Sequence, residues 1–300
     1  MPLKKRSDEL RIKKLGNRIS KIYKQASEEL TEKVDSFFAS FEKKDAEMKK
    51  KFEDGEITKA EWIKWRKNQL LIGKRWTDLR DSVVQRMLES NQIASAYINR
   101  ELVPAYTRGF NDVGTDAESA IKGYSFSMIN EDAVKRLITN KKTNLPYKFV
   151  DGKKDTRWNT QKVNSVILQG IIQGESSKQM AKRLRTKIPE MNKVSAIRNA
   201  RTAFTSAVNH GRLDGMKQLQ DDGVIVEKEW FASMGDGRTR DAHAELHHAK
   251  VPIDEPFVNS LGEIMFPGDP NASPANVYNC RCSIATRIIG FVQKNKKEGE

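Results

Sequence analysis

Between Leu3 and Val103 the chain contains no proline, and over most of that stretch apolar residues recur every three or four positions. This combination constrains the fold more than any other feature. Leu15, Ile19, Ile22, Ala26, Leu30, Val34, Phe37 and Phe41 form one stripe, the period of a helix with one buried side. The spacing predicts one long helix, or two, from Leu10 to about Phe52. Asp54-Gly55 is a turn signal. Thr58 then precedes Ala60-Glu61, and a second helical stretch runs to about Arg75, with Trp62, Ile63, Trp65 and Trp76 as packing residues. A third, Thr77 to Tyr106, carries Leu79, Val83, Met87, Ile93, Ala94 and Ile98. So narrow a stripe suits helical-bundle or coiled-coil packing.

Residues 139–158 interrupt the pattern with Pro146, Gly152 and several lysines, and read as a linker or exposed loop. Helical spacing resumes with Val163, Val166, Ile167, Gly170 and Ile171 and stops at Gly174. Ser176 or Ser177 can cap the next helix, which Pro189 is expected to end. An amphipathic helix is then predicted from Val194 to Leu219, terminated by Asp222-Gly223. At 224 the character changes. VIVEKEWFASM is rich in β-branched and aromatic residues and reads as a strand. Arg240 to Ala249 can form a short helix. VPIDEPFV, EIMF and VYNCRCSIATRIIGF read as further short strands.

The expected fold class is therefore α+β. Long helices or a bundle make up the N-terminal two-thirds, and a small C-terminal α+β domain of short strands follows. The segments are 1–138 (helical, with a basic N-terminal arm), 139–158 (linker or loop), 159–223 (helical), 224–292 (α+β) and 293–300 (polar tail).

Charge is unevenly spread. The net +14 divides into −2 over residues 226–300, with nine Lys/Arg against eleven Asp/Glu, and +16 over residues 1–225. Residues 1–25 hold nine basic and two acidic side chains. Such an arm fits contact with a polyanion, and Lys4, Lys5, Arg6, Arg11, Lys13 and Lys14 are the candidate DNA-binding residues. A solvated charged helix gives the same pattern. No apolar run approaches the ~20 residues a membrane span needs. The basic N-terminus lacks the apolar run of a signal peptide, so synthesis in a reducing cytoplasm is expected.

The only two cysteines, Cys280 and Cys282, flank Arg281, and three of the four histidines, His243, His247 and His248, lie in the same C-terminal unit. On a helix, His243 and His247 would share a face. On a regular strand the two thiols would share a face, with Cα atoms about 7 Å apart, too far for an unstrained disulfide. Two cysteines with one or two histidines would satisfy a tetrahedral structural Zn²⁺ if the chain bends. The alternative is a pair of small buried core residues beside a hydrogen-bonded histidine. His-Ala-Glu-Leu-His at 243–247 is not the H-E-x-x-H of a zincin, because Glu245 sits two positions after the first histidine. No G-x-S-x-G, P-loop or G-x-G-x-x-G is present.

One ordered set of elements carries a resemblance. These are RNARTAFTSAVNHGRLDGMKQL, EKEWFAS, DGRTRDAHAEL, VPIDEPF, FPGDP and SPANVYNCRC, over roughly residues 160–288. The set closely resembles the phage Mu protein F-like head morphogenesis family of minor capsid proteins. The resemblance implies that residues 159–223 are the helical part of the family domain. It also implies a low-copy, non-enzymatic head component that binds portal, major capsid or scaffold protein, contacts double-stranded DNA without sequence preference, and resides in the virion. The matching structural positions include Arg201, Arg238, Arg240, Asp269, Asn279 and Arg281. His243 belongs to the motif with both cysteines; His247 does not, so a fourth metal ligand is open among His247, Asp241 and water. Two other readings stand beside this one. The first is a metal-dependent hydrolase or toxin-like enzyme using the His/Cys cluster. The second is a plain nucleic-acid-binding module, for which no stacking platform or helix-turn-helix signature speaks.

Overall fold

The computed structural model describes residues 3–139, 150–234 and 237–291. The helices are α1 (Leu3–Glu29), α2 (Thr31–Glu53), α3 (Lys59–Leu70), α4 (Lys74–Ala120), α5 (Glu131–Thr139), α6 (Gly152–Ile172), α7 (Ser177–Asp221), α8 (Asp241–Ala244) and α9 (Pro274–Val277). The strands are β1 (Val224–Phe231), β2 (Lys250–Pro252), β3 (Phe257–Asn259), β4 (Gly262–Ile264) and β5 (Ser283–Phe291). This is the α+β class, with long helices first and short antiparallel strands last. Among the described residues no helix is long and apolar enough to cross a membrane. The chain packs as two units. One holds residues 16–96 and 148–197; the other holds 1–15, 97–147 and 198–300. Helices α1, α4 and α7 each supply residues to both, so the units do not follow the consecutive segments expected from the sequence.

In the unit of residues 16–96 and 148–197, the predicted stripe is slightly rotated. Tyr23 and Phe38, not Ile22 and Phe37, are the buried members beside Ile19, Ala26, Leu30 and Val34. The break between α1 and α2 is the single residue Leu30, whose backbone stays helical. Thr58 and Glu61 form a reciprocal capping box that starts α3. Pro189 does not end a helix but lies inside α7. A proline strips the carbonyl four residues back of its N–H partner, and here the Ser27 hydroxyl donates to that Arg185 carbonyl at 2.7 Å. The stretch 152–158 is likewise helix, not loop, because Asp151 caps α6 by accepting from the Lys154 N–H. The rest of the predicted linker, 140–149, lies outside the described residues, as does the polar tail 293–300.

Buried polar contacts fix this unit. Tyr23 donates to Asn91 at 2.6 Å, Asn91 to Asn192 at 3.2 Å and Asn192 to Asn159 at 2.8 Å, joining α1, α4, α7 and α6. Arg66 is fully buried, ion-paired with Asp45 at 3.0 Å, and donates to the Ile171 and Glu175 carbonyls at the end of α6.

In the other unit, α4 crosses α7 at glycines. A Cβ on Gly109 would lie 2.1 Å from the Val208 carbonyl oxygen, and one on Gly211 would lie 2.2 Å from that of Tyr106. No other residue permits so close an approach. Strand β1 sits between β2 and β5, both antiparallel to it. Its inward positions are Val224, Val226, Lys228 and Trp230, all buried. Strands β3 and β4 form a separate hairpin.

A candidate metal centre before the last strand

The two cysteines do not lie on a strand, contrary to expectation. Strand β5 begins only at Ser283, and residues 280–282 are irregular chain following the short helix α9. The reason is Asn279, whose φ of 61° places it in the left-handed region and bends the chain just before Cys280. Helix α7 holds this bend from one side. Arg201 donates to the Asn279 side-chain oxygen, the Asn279 N–H donates to Thr202 Oγ1 at 2.9 Å, and Thr205 donates to the Cys280 carbonyl at 3.1 Å. Asn209, 1% exposed, completes the row. It donates to the carbonyls of Cys282 (3.3 Å) and Pro267 (3.2 Å) and accepts from the Ile284 N–H at 3.0 Å. From the other side Arg240 donates to the Tyr278 carbonyl.

The FPGDP stretch is explained by the same face of α7. Gly268 has φ +88, and a Cβ there would lie 2.8 Å from Ser206 backbone atoms. Asp269, 3% exposed, accepts from the Met265 and Asn271 N–H groups and closes the loop. Arg238 is an exposed residue just before α8, and Arg281 is half-buried between the cysteines.

The bend brings Cys280 and Cys282 onto His243. The three donor atoms lie within 4.8 Å of one another, and all three residues are buried. His243 Nδ1 is 3.5 Å from Cys280 Sγ and 3.6 Å from Cys282 Sγ. Its Nε2 lies 2.8 Å from Asn276 Oδ1, which also accepts from the Asn259 side-chain amide. That oxygen is an acceptor, so Nε2 carries the proton and donates. Nδ1 therefore turns its lone pair to the two sulfurs, the arrangement in which a carbonyl partner orients a metal-binding histidine. A tetrahedral Zn²⁺ with ordinary Zn–S and Zn–N bonds has an N···S edge of about 3.6 Å. The observed distances match it, so these three residues fit three of the four positions around a zinc ion.

The two thiols are coupled through one hydrogen bond. That bond from Cys280 holds the Cys282 thiol below the ordinary thiol range. The same bond, then burial, pushes Cys280 well above the ordinary thiol range. The pair thus loses its first proton readily and its second with difficulty.

His247 does not join the group. Helix α8 ends at Ala244, one turn long, so His247 is not on a shared helical face with His243. The chain turns through His248 at φ 67°, and the His248 N–H donates back to the Trp230 carbonyl at 2.8 Å. His247 instead stacks on His248 at 4.0 Å. Three of the four expected ligands are therefore brought together. Asn276 is the residue that sequence reasoning missed: it lies four positions before Cys280, and no spacing rule marks it as the histidine's partner.

With this geometry in view, the comparisons with known proteins become specific. Residues 161–285 match the family model of Phage Mu protein F like protein. The matched segment is Phage Mu F-like. It runs from within α6 into β5 and contains every residue of the candidate centre. The resemblance read from the sequence is thereby borne out over that segment. No curated protein and no solved structure matches the chain.

Proposed function

We propose that the protein is a minor head protein that acts in phage head morphogenesis as a low-copy, non-enzymatic assembly component of the virion. The observation that carries this reading is that the row Arg201–Thr202–Thr205–Asn209, the PGDP loop and the His/Cys group all fall inside the Mu F-like segment and all hold backbone together. His243, Cys280 and Cys282 would hold a structural zinc. Bound there, the ion would tie α8 to the start of β5. With the three donors at 1%, 2% and 4% exposure, no substrate reaches them, which speaks against the hydrolase or toxin reading.

The partners in this proposal are portal, major capsid or scaffold protein, and packaged DNA. Arg11, Lys13 and Lys14 are exposed on α1, while the Lys4, Lys5 and Arg6 side chains lie outside the described ones. Cations on an exposed helix face would meet DNA phosphates without sequence preference. Asp8 on the same helix is committed elsewhere, paired with Arg108 at 2.6 Å and Arg212 at 2.9 Å. The test is to purify heads from infected cells, detect this chain and cross-link it. A few copies per head, cross-linked to portal or capsid protein, support the proposal; heads lacking the chain overturn it. Replacing Arg11, Lys13 and Lys14 by Gln tests the DNA contact separately. It should reduce the salt slope of DNA binding by about 3. An unchanged slope would remove DNA from the account.

A further inference from the structure

The His243 ring is tied to both ends of the β3–β4 hairpin. At the tip the tie is Asn276, fully buried, whose Oδ1 accepts from His243 Nε2 at 2.8 Å and from Asn259 Nδ2 at 3.2 Å. Its own Nδ2 donates to the Gly262 carbonyl at 3.3 Å and to Asn259 Oδ1 at 3.4 Å. Asn259 and Gly262 face each other in the pair next to the turn, where Asn259 Oδ1 also accepts from the Leu261 N–H at 2.8 Å. At the base, Trp230 packs edge-on against both His243 (5.3 Å) and Phe257 (5.1 Å), the partner of Ile264. The hairpin strands do not join the three-stranded sheet, so side chains must hold them in place.

We propose that Asn276 reads which nitrogen of His243 carries the proton, and so links the hairpin tip to metal occupancy of the centre. With a metal on Nδ1, the ring's one proton must sit on Nε2, facing Asn276 Oδ1. The amide then has a single orientation, with its N–H groups turned to Gly262 and Asn259. Without a metal, Nδ1 faces two sulfurs able to accept from an N–H, and the proton is free to move to it. Nε2 then becomes an acceptor, and two lone pairs meet across 2.8 Å. Turning the amide over relieves that contact but sets Oδ1 against the Gly262 carbonyl. No orientation of one amide serves both the Nδ1–H ring and the hairpin, so the tip is released. The two states differ in a tautomer, an amide orientation and the Gly262 hydrogen bond, and a ligand that prefers one of them shifts the population. Asn276 is thus a positioning residue. The link is reciprocal: a change that removes the Asn276 contacts at the tip weakens metal binding. This inference rests on the metal reading above.

The experiment measures Zn²⁺ affinity of the full chain against a competing chelator. Asn259→Ala, which cuts the tip from Asn276 without touching the ring, should weaken binding about five- to tenfold. Asn276→Ala should weaken it about 10–100-fold. Ile264→Val thins the buried base of the hairpin and leaves the Asn276 bonds alone, so it should change affinity less than twofold. In the zinc-loaded proteins, amide exchange over residues 257–264 should be about tenfold faster in Asn276→Ala than in wild type, with β1 and β5 unchanged. Nitrogen-15 NMR of the His243 ring should show Nε2–H in the zinc-loaded wild type. If Asn276→Ala fails to fold, Asn259→Ala against Ile264→Val decides. Zinc affinity unchanged in Asn259→Ala, or lowered as much in Ile264→Val, overturns the link and leaves the metal reading standing. A wild type that takes up no zinc overturns both.

Discussion

Asn209→Ala is the substitution that most directly probes how α7 holds the Cys loop. The side chain is 1% exposed and satisfies three backbone groups of other segments: the Ile284 N–H and the carbonyls of Cys282 and Pro267. Alanine cannot replace any of these bonds, and the vacated volume is too enclosed for bulk water to do so. Each buried group left unpaired costs about 1–3 kcal/mol. Discounting the long 3.3 Å bond leaves two groups, so the expected loss is about 2–6 kcal/mol. That is a large fraction of the roughly 5–15 kcal/mol stability of an ordinary domain. Trp230, fully buried in the same unit, gives a fluorescence readout for urea unfolding. Asn209→Asp is the informative companion. It keeps the acceptor for Ile284 but sets a buried carboxylate oxygen against both carbonyls, so at neutral pH it should be no more stable than the alanine variant. If Asn209→Ala unfolds within about 1 kcal/mol of wild type, the hydrogen-bond row along α7 is not what positions the loop.

Three further outcomes follow from other parts of the molecule. Gly211→Ala places a methyl 2.2 Å from the Tyr106 carbonyl oxygen and should cost at least about 1–3 kcal/mol by forcing α4 and α7 apart; a thermal melt equal to wild type would contradict the close crossing. Lys228, fully buried on β1 and bonded to the Met265 carbonyl at 3.0 Å, is pulled down to about 8 by burial. Its folded value lies below its unfolded one, so the native state binds fewer protons between about pH 8 and 10.5, and stability should rise with pH across that window. Urea unfolding of Lys228→Met should lack this rise, and an identical pH profile in both proteins would count against it. Arg66→Ala should cost about 3–5 kcal/mol by leaving Asp45 buried without its partner, while Arg66→Met with Asp45→Leu should recover most of it; no recovery in the double variant would show that the carbonyl contacts of Arg66, not the ion pair, dominate.

Much of the helical architecture is legible in the residues themselves, because a 3.6-residue period survives wherever one side of a helix is buried. The reading fails where adjacent apolar residues compete, as at Ile22 and Tyr23 or Phe37 and Phe38, since hydrophobicity alone does not say which of two neighbours faces inward. It fails again at Pro189, whose helix-breaking tendency is offset by a serine 162 positions away that satisfies the freed carbonyl. The interleaving of the two units is hidden for a similar reason: a periodic stripe marks a buried face but not what covers it. At the candidate centre, the residue types and their place in one small unit were readable, and so was the need for the chain to bend there. The bend itself depends on a left-handed asparagine, and the histidine's orientation on Asn276, 33 positions away. Polar residues that serve distant backbone groups leave no periodic trace. His247 shows the converse error, in which i, i+4 spacing promised a shared helical face and α8 ended after a single turn.

The central claim is that His243, Cys280 and Cys282 form a metal staple for the Mu F-like segment. Elemental analysis of the purified full chain, beside a Cys280→Ser/Cys282→Ser variant, tests it most directly. The account predicts one zinc per chain in the wild type, lost in the variant together with cooperative unfolding of the unit that contains β5. A well-folded wild-type protein with no bound zinc would contradict it, and would leave the two cysteines as buried core residues beside a hydrogen-bonded histidine.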